Sequence, residues 1–167
     1  MQVSLMLALL AMVQDKPTVD DPRFKYWAEW KPGAWARYTS EIEQAGQKMN
    51  MESTYKLLEV SADKVVVEMS GKMKLGEREM AMPAQKQEIK AKESSDKVKV
   101  EKEGDEEIEV KGKKMKCHWV QVAMDQGGKK MTMKVWLAKE IPSGMAKSEA
   151  TMEGGSMKMQ AVEWGEK

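Results

Sequence analysis

Hydrophobic and polar residues alternate along most of the chain after residue 33. In QKMNMESTYKLLEV (47–60) and DKVVVEMSGKMKLG (63–76), apolar side chains occupy odd positions and polar ones occupy the positions between them. A period of two is typical of strands that bury one face and expose the other, and such strands usually form antiparallel sheets. The apolar positions that define this face are Met49, Met51, Val65, Val67 and Met69.

The same alternation returns in KKMTMKVWL (129–137), where Met131, Met133 and Val135 fall on one side. Short polar segments separate the strand-like runs and predict hairpin turns. These segments are Ser61–Asp63, Asp125–Gly128 and Glu153–Ser156. The pattern predicts a mostly β fold, namely a curved antiparallel sheet or half-barrel of roughly eight to ten strands with a short N-terminal helix. The stretch Pro83–Glu93 is ambiguous between helix and strand.

The predicted helix lies in DDPRFKYWAEW (20–30). Asp20 or Asp21 can cap its N-terminus, and Pro22 suits the first helical position. Phe24, Trp27 and Trp30 recur at a spacing of three and form one aromatic face. We expect this face to pack on the sheet.

The N-terminal run VSLMLALLAMV (3–13) is apolar and is followed at once by polar residues. It is shorter than the ~20 residues of a membrane-spanning helix but has the length of the apolar region of a secretory signal. The alternative interpretations of this run are a buried first strand and a misassigned start codon. We therefore expect residues 1–14 to be a signal peptide or its remnant, 15–33 a linker and the short aromatic helix, and 34–167 a single antiparallel β domain in a periplasmic or secreted protein with no stable membrane span.

Composition narrows the choice of partners. Lys plus Arg is 28 and Asp plus Glu is 27, so no basic field favours nucleic acid. The charged run AKESSDKVKVEKEGDEE (91–107) is typical of an edge strand protected from further pairing. Cys117 is the only cysteine; an internal disulfide is excluded, and we expect a buried, unreactive thiol.

No arrangement of residues suggests catalysis. His118 is the only histidine and directly follows Cys117. Neighbours on a strand point to opposite faces, so the two do not form a nucleophile–base pair. Recognised catalytic and phosphate-binding motifs are absent from the sequence. We expect a non-catalytic protein with no catalytic residues, no cofactor and no dedicated metal site.

The methionine content leaves three hypotheses open, because 17 of the 167 residues are Met. A flexible thioether face can line a site for a lipid or other apolar small molecule. Thioethers also suit Cu(I), with His118 or Cys117 as a further ligand. The third hypothesis is a structural or interaction domain with a fully packed core. We favour the first, and predict a ligand-lining set formed by Met49, Met51, Val65, Val67, Met69, Met131, Met133 and Val135.

Three segments resemble a known group: WKPGAWARY (30–38), KGKKMKCHWVQV (111–122) and KVWLAKEIPSGMAK (134–147). Together with the export signal, they are similar to the secreted half-barrel proteins related to the lipoprotein carriers LolA and LolB. The resemblance implies an incomplete β-barrel around a helical plug, with a hydrophobic cavity that takes acyl chains in the carriers. This chain departs from the pattern in having one clear helix. It is expected to be a monomeric, exported binder of an apolar ligand.

Overall fold

The computed structural model describes residues 18–94, 98–126 and 129–166. The predicted signal peptide and the glycines of the Asp125–Gly128 turn lie outside these ranges. The helix is α1 (Pro22–Ala28). The strands are β1 (Thr18–Asp20), β2 (Trp35–Gln44), β3 (Gln47–Val60), β4 (Lys64–Leu75), β5 (Arg78–Lys90), β6 (Lys92–Ser94), β7 (Val98–Val110), β8 (Lys113–Gln126), β9 (Lys129–Leu137), β10 (Met145–Met152) and β11 (Gly155–Gly165).

The mostly β architecture with one short N-terminal helix is confirmed. Nine strands form one antiparallel sheet in the order β5-β4-β3-β2-β11-β10-β9-β8-β7. Strands β2–β5 and β7–β11 are therefore two meanders, joined where β2 pairs with β11. The ambiguous segment Pro83–Glu93 is strand, since β5 runs through it to Lys90 and β6 follows. The charged run contributes β7, which is an edge strand as expected.

The connection between the meanders forces the sheet to curve. β5 and β7 are opposite edges of the sheet, yet only residues 91–97 separate them in the chain. The steps from Lys90 to Val98 span at most about 28 Å. A flat sheet of this width would hold its edge strands about 38 Å apart. The edges must therefore approach each other, and the sheet wraps into a half-barrel that is not closed by pairing among the described strands.

The helix packs as its sequence predicted. Asp21 caps α1 by accepting a 2.8 Å hydrogen bond from the backbone N–H of Arg23, and Pro22 occupies the first turn. Trp27 is buried in a cluster that the aromatic residues Phe24 and Trp30 flank. The other buried members are Ala34, Leu57, Val65, Val67 and Ile89. We call the side of the sheet that carries Leu57, Val65 and Val67 the helix-side face.

A second cluster lies at the end of the β7–β8 hairpin. The hairpin extends beyond the last β8–β9 pair, His118 with Leu137. Its end buries Val110, Met115 and Cys117 in a cluster that includes Tyr38 and Ile141. Within the described part of the chain, no helix has the length and apolar character needed to cross a bilayer.

Candidate functional site

Strand register identifies which side chains share the helix-side face, because directly paired residues point to the same side of a sheet. One row crosses the sheet from β8 to β5 through Val120, Val135, Ser148, Met159, Ser40, Met51, Met73 and Met80. The neighbouring row contains Val122, Met133, Ala150, Met157, Ile42, Met49 and Leu75. Met51 and Leu57 lie on the same side of β3, so both rows belong to the helix-side face.

The register places every residue of the predicted ligand-lining set on this face. Val65 and Val67 lie at the end that α1 covers and are 0% and 1% exposed. The remaining members are partly exposed: Met49, Met51, Met69, Met131, Met133 and Val135. The set therefore divides into a packed part under the helix and a more open part beyond it.

Methionine dominates the open part. Apart from Met115, on the opposite face, and Met145, at the β10 bulge where it pairs with Leu137, every methionine whose side chain the structure describes occupies a helix-side position. Their exposure ranges from 9% at Met159 to 48% at Met80. We call this region the methionine surface; it consists of Met49, Met51, Met69, Met73, Met80, Met82, Met131, Met133, Met152, Met157 and Met159. Its flexible side chains form an apolar floor across the sheet.

Tyr38 lies between the methionine surface and the covered end. Its ring meets that of Tyr55 edge-to-face, with centroids 5.6 Å apart. Its hydroxyl donates a 3.0 Å hydrogen bond to the carbonyl of Met145 and contacts the hydroxyl of Ser143. Burial raises the pKa of Tyr38 well above its ordinary value. Tyr38 thus fixes the loop after β9 against β2 as a neutral hydrogen-bonding group.

Serines interrupt the apolar floor near Tyr38. Ser40 and Ser53 are 1% and 0% exposed, and Ser148 is also buried. The Oγ atoms of Ser40 and Ser53 have no hydrogen-bond partner in the part of the chain that the structure describes. The alternation along the chain did not single out these residues. Ser53 falls on the odd, inward-predicted positions of residues 47–60 but is polar, whereas Ser40 is recognisable as a helix-side position only once β2 is paired with β3.

Cys117 and His118 have different environments. Cys117 is 2% exposed, and burial, assisted by the charges of Glu140 and Glu106, raises the pKa of its thiol to about 11. The His118 side chain is 44% exposed, and its Nδ1 lies 3.0 Å from Oδ1 of Asp105. Both residues line a shallow cleft of about 430 Å³. A thiol with this raised pKa stays protonated near neutrality, and its burial limits the access of reactants.

The described residues contain no group of three His, Cys, Asp or Glu side chains suited to hold a metal ion. The copper hypothesis, which relied on Cys117 or His118 as a further ligand, gains no support from the contacts of either residue.

The opposite face of the sheet is mostly polar and charged, although Trp136 and Val66 on this face are buried. Lys134 Nζ lies 4.2 Å and 4.4 Å from the ring centroids of Trp119 and Trp136. Glu106 accepts hydrogen bonds from Trp136 Nε1 and Lys134 Nζ, both 3.2 Å, and these bonds lower the pKa of its carboxyl group. This network was not predicted. It covers the tryptophans with charge and leaves the helix-side face as the apolar side.

The chain is similar to solved structures in fold but not in sequence. No protein-family model and no curated protein matches it. A structure from Bacteroides fragilis, described as an exported protein with a YmcC-like fold, aligns with a TM-score of 0.51 at 8% identity, covering 81% of this chain and 97% of that one. The Mycobacterium tuberculosis lipoprotein LppX aligns with a TM-score of 0.46 at 10% identity, covering 87% and 94%. The half-barrel fold predicted from the sequence is shared with the Bacteroides fragilis structure.

Proposed function

We propose that this protein is an exported, non-catalytic binder of a lipid or other apolar ligand, which it holds on the methionine surface. One observation carries the proposal: an apolar face crosses the sheet from β8 to β5, α1 covers its Leu57–Val67 end, the loop after β9 covers Tyr38, and most of the methionines beyond them stay partly exposed. A soluble monomer seldom leaves a wide apolar surface without a partner. The ligand occupies the concave side of the half-barrel.

The residue type favours a ligand over a fixed protein contact. Methionine is unbranched and polarizable, so a methionine surface adapts to apolar molecules of varied shape. An acyl chain that buries about 300 Å² of apolar surface gains about 7 kcal/mol before the cost of association is subtracted. Part of that cost is ordering of the methionine side chains. The expected affinity is therefore moderate, and the ligand range is broad.

Export is supported by the apolar run at residues 3–13 and by the fold shared with a protein described as exported. A single buried cysteine is compatible with an oxidising compartment because no disulfide is required. The absence of catalysis is part of the proposal. It is supported by the raised pKa of the buried Cys117 thiol and by the different environment of the exposed His118 side chain.

The proposal is tested with N-phenyl-1-naphthylamine, an apolar dye whose fluorescence rises in apolar surroundings. Met51→Lys and Met133→Lys place a charge on the methionine surface and should weaken dye binding by about tenfold or more, because the bound dye would desolvate an unpaired ammonium. The matched controls are Asn50→Lys and Thr132→Lys, which change neighbouring exposed residues on the opposite face and should bind as the wild type does.

Circular dichroism and urea unfolding identify variants that fail to fold, and Met51→Gln and Met133→Gln provide milder replacements with the same expected direction. Equal dye binding by folded lysine variants and by the wild type would contradict the proposed site. No dye binding by the wild type would contradict the proposed function.

A further inference from the structure

The buried serines lie at the edge of the methionine surface nearest Tyr38. Ser40 is flanked in register by Met51 on β3 and Met159 on β11. Ser53 pairs with Tyr38, two residues before Ser40 on β2, so the two serines are diagonal neighbours. Ser148 lies on the far side of Met159 in the same row. Hydroxyl groups are thus grouped within an otherwise apolar floor.

Two of these hydroxyls are energetically unfavourable as they stand. Ser40 Oγ and Ser53 Oγ are fully buried and lack hydrogen-bond partners within the described residues. Tyr55, whose pKa is raised chiefly by burial, has its hydroxyl near Ser53, but no hydrogen bond of normal geometry joins them. An unmade hydrogen bond of this kind costs about 1–3 kcal/mol. Alanine would fill either position at lower cost, so packing alone does not account for the serines.

The surroundings of the serines also limit the charge of any group that reaches them. The residues beside them on the helix-side face are uncharged: Tyr38, Met51, Gly71 and Met159. The charged neighbours along the strands, Arg37, Glu41 and Glu52, alternate to the opposite face. A charged group placed against Ser40 and Ser53 would lose hydration without gaining a counter-charge, which is costly. A neutral hydrogen-bonding group would carry no such penalty.

We propose that the ligand is a neutral amphiphile, such as a monoacylglycerol or a fatty alcohol. Its hydroxyl or ester head forms hydrogen bonds with Ser40 and Ser53, and its hydrocarbon tail lies along the methionine surface. Met51 and Met159 flank Ser40, and their rotatable side chains move aside to admit the head. This inference rests on the proposed function and names the ligand class for the same site.

The test is carried out at pH 9 and compares how well 1-monooleoylglycerol and oleate displace N-phenyl-1-naphthylamine. At this pH oleate is an anion, and it has the same acyl chain as the neutral lipid. For the wild type, we expect the neutral lipid to compete about tenfold more effectively, which is the effect of one or two hydrogen bonds. Ser40→Ala/Ser53→Ala should lose this preference, with the competition by each lipid calculated from that variant's own affinity for the dye. Ser70→Ala, on the opposite face of β4, is the control and should retain the preference.

Thermal unfolding of the ligand-free proteins separates a ligand role from a structural one. Because the double variant removes two unsatisfied hydroxyls, its Tm should equal or exceed that of the wild type. A lower Tm would show that the hydroxyls have partners within the fold and would overturn the inference. So would equal competition by the two lipids, or a preference that survives in the double variant. These results would leave the proposed function intact, whereas failure of the wild type to bind the dye would overturn both.

Discussion

The two ends of the helix-side face share one alternation but differ in side-chain type and in cover. Under α1, Leu57, Val65 and Val67 are at most 1% exposed. Beyond the helix, residues such as Met49 and Met133 remain partly exposed. Branched side chains with few rotamers suit a fixed core, whereas methionine suits a surface that must adapt. The period of two thus indicates which side faces inward, and the residue type distinguishes packed core from adaptable surface.

The largest effect should come from truncation at the covered end. Leu57→Ala should lower the free energy of unfolding by about 3 kcal/mol, because it leaves a cavity beneath Trp27. Met133→Ala, on the methionine surface, should lower it by about 1 kcal/mol, since this side chain is only partly buried in the ligand-free protein. Urea unfolding followed by circular dichroism measures both. Equal losses in the two variants would contradict the division of the face into a core and an open surface.

A smaller effect is expected at Tyr38, on the boundary between the two regions. Tyr38→Phe keeps the ring packed against Tyr55 but removes the hydroxyl that holds Ser143 and the Met145 carbonyl. The free energy of unfolding should fall by about 1–2 kcal/mol, because the partly buried carbonyl of Met145 loses its donor. Tyr55→Phe is the comparison variant and should cost less, since no hydrogen bond of normal geometry ties its hydroxyl to Ser53. If Tyr38→Phe left the free energy of unfolding unchanged, the loop after β9 would be held by packing alone.

Local pattern was sufficient to predict much of this fold. The alternation in residues 47–60, 63–76 and 129–137 identified β3, β4 and β9 and the correct inward side of each. The aromatic spacing of the N-terminal segment identified α1 and its packing on the sheet. These features depend on neighbours in the sequence, which is where periodicity and capping act.

Long-range features were not predictable in the same way. The pairing of β2 with β11 joins opposite ends of the chain and leaves no local signal. Without it, the rows that gather the methionines and surround Ser40 cannot be assembled. Val65 and Val67 are buried beneath α1 and do not line an open cavity. This burial likewise depends on where the helix packs on the sheet. The Lys134, Trp136 and Glu106 network depends on register among three strands.

Methionine-methyl NMR tests most directly whether the methionine surface is the ligand site. The protein labelled with ¹³C at the methionine methyl groups is titrated with N-phenyl-1-naphthylamine, and resonances are assigned by single Met→Leu variants. We predict that the signals of Met49, Met51, Met73, Met133 and Met157 shift together and saturably, while those of Met115 and Met145, which lie off this surface, stay in place. Shifts confined to Met115 and Met145, or no saturable shift on the methionine surface, would contradict the account.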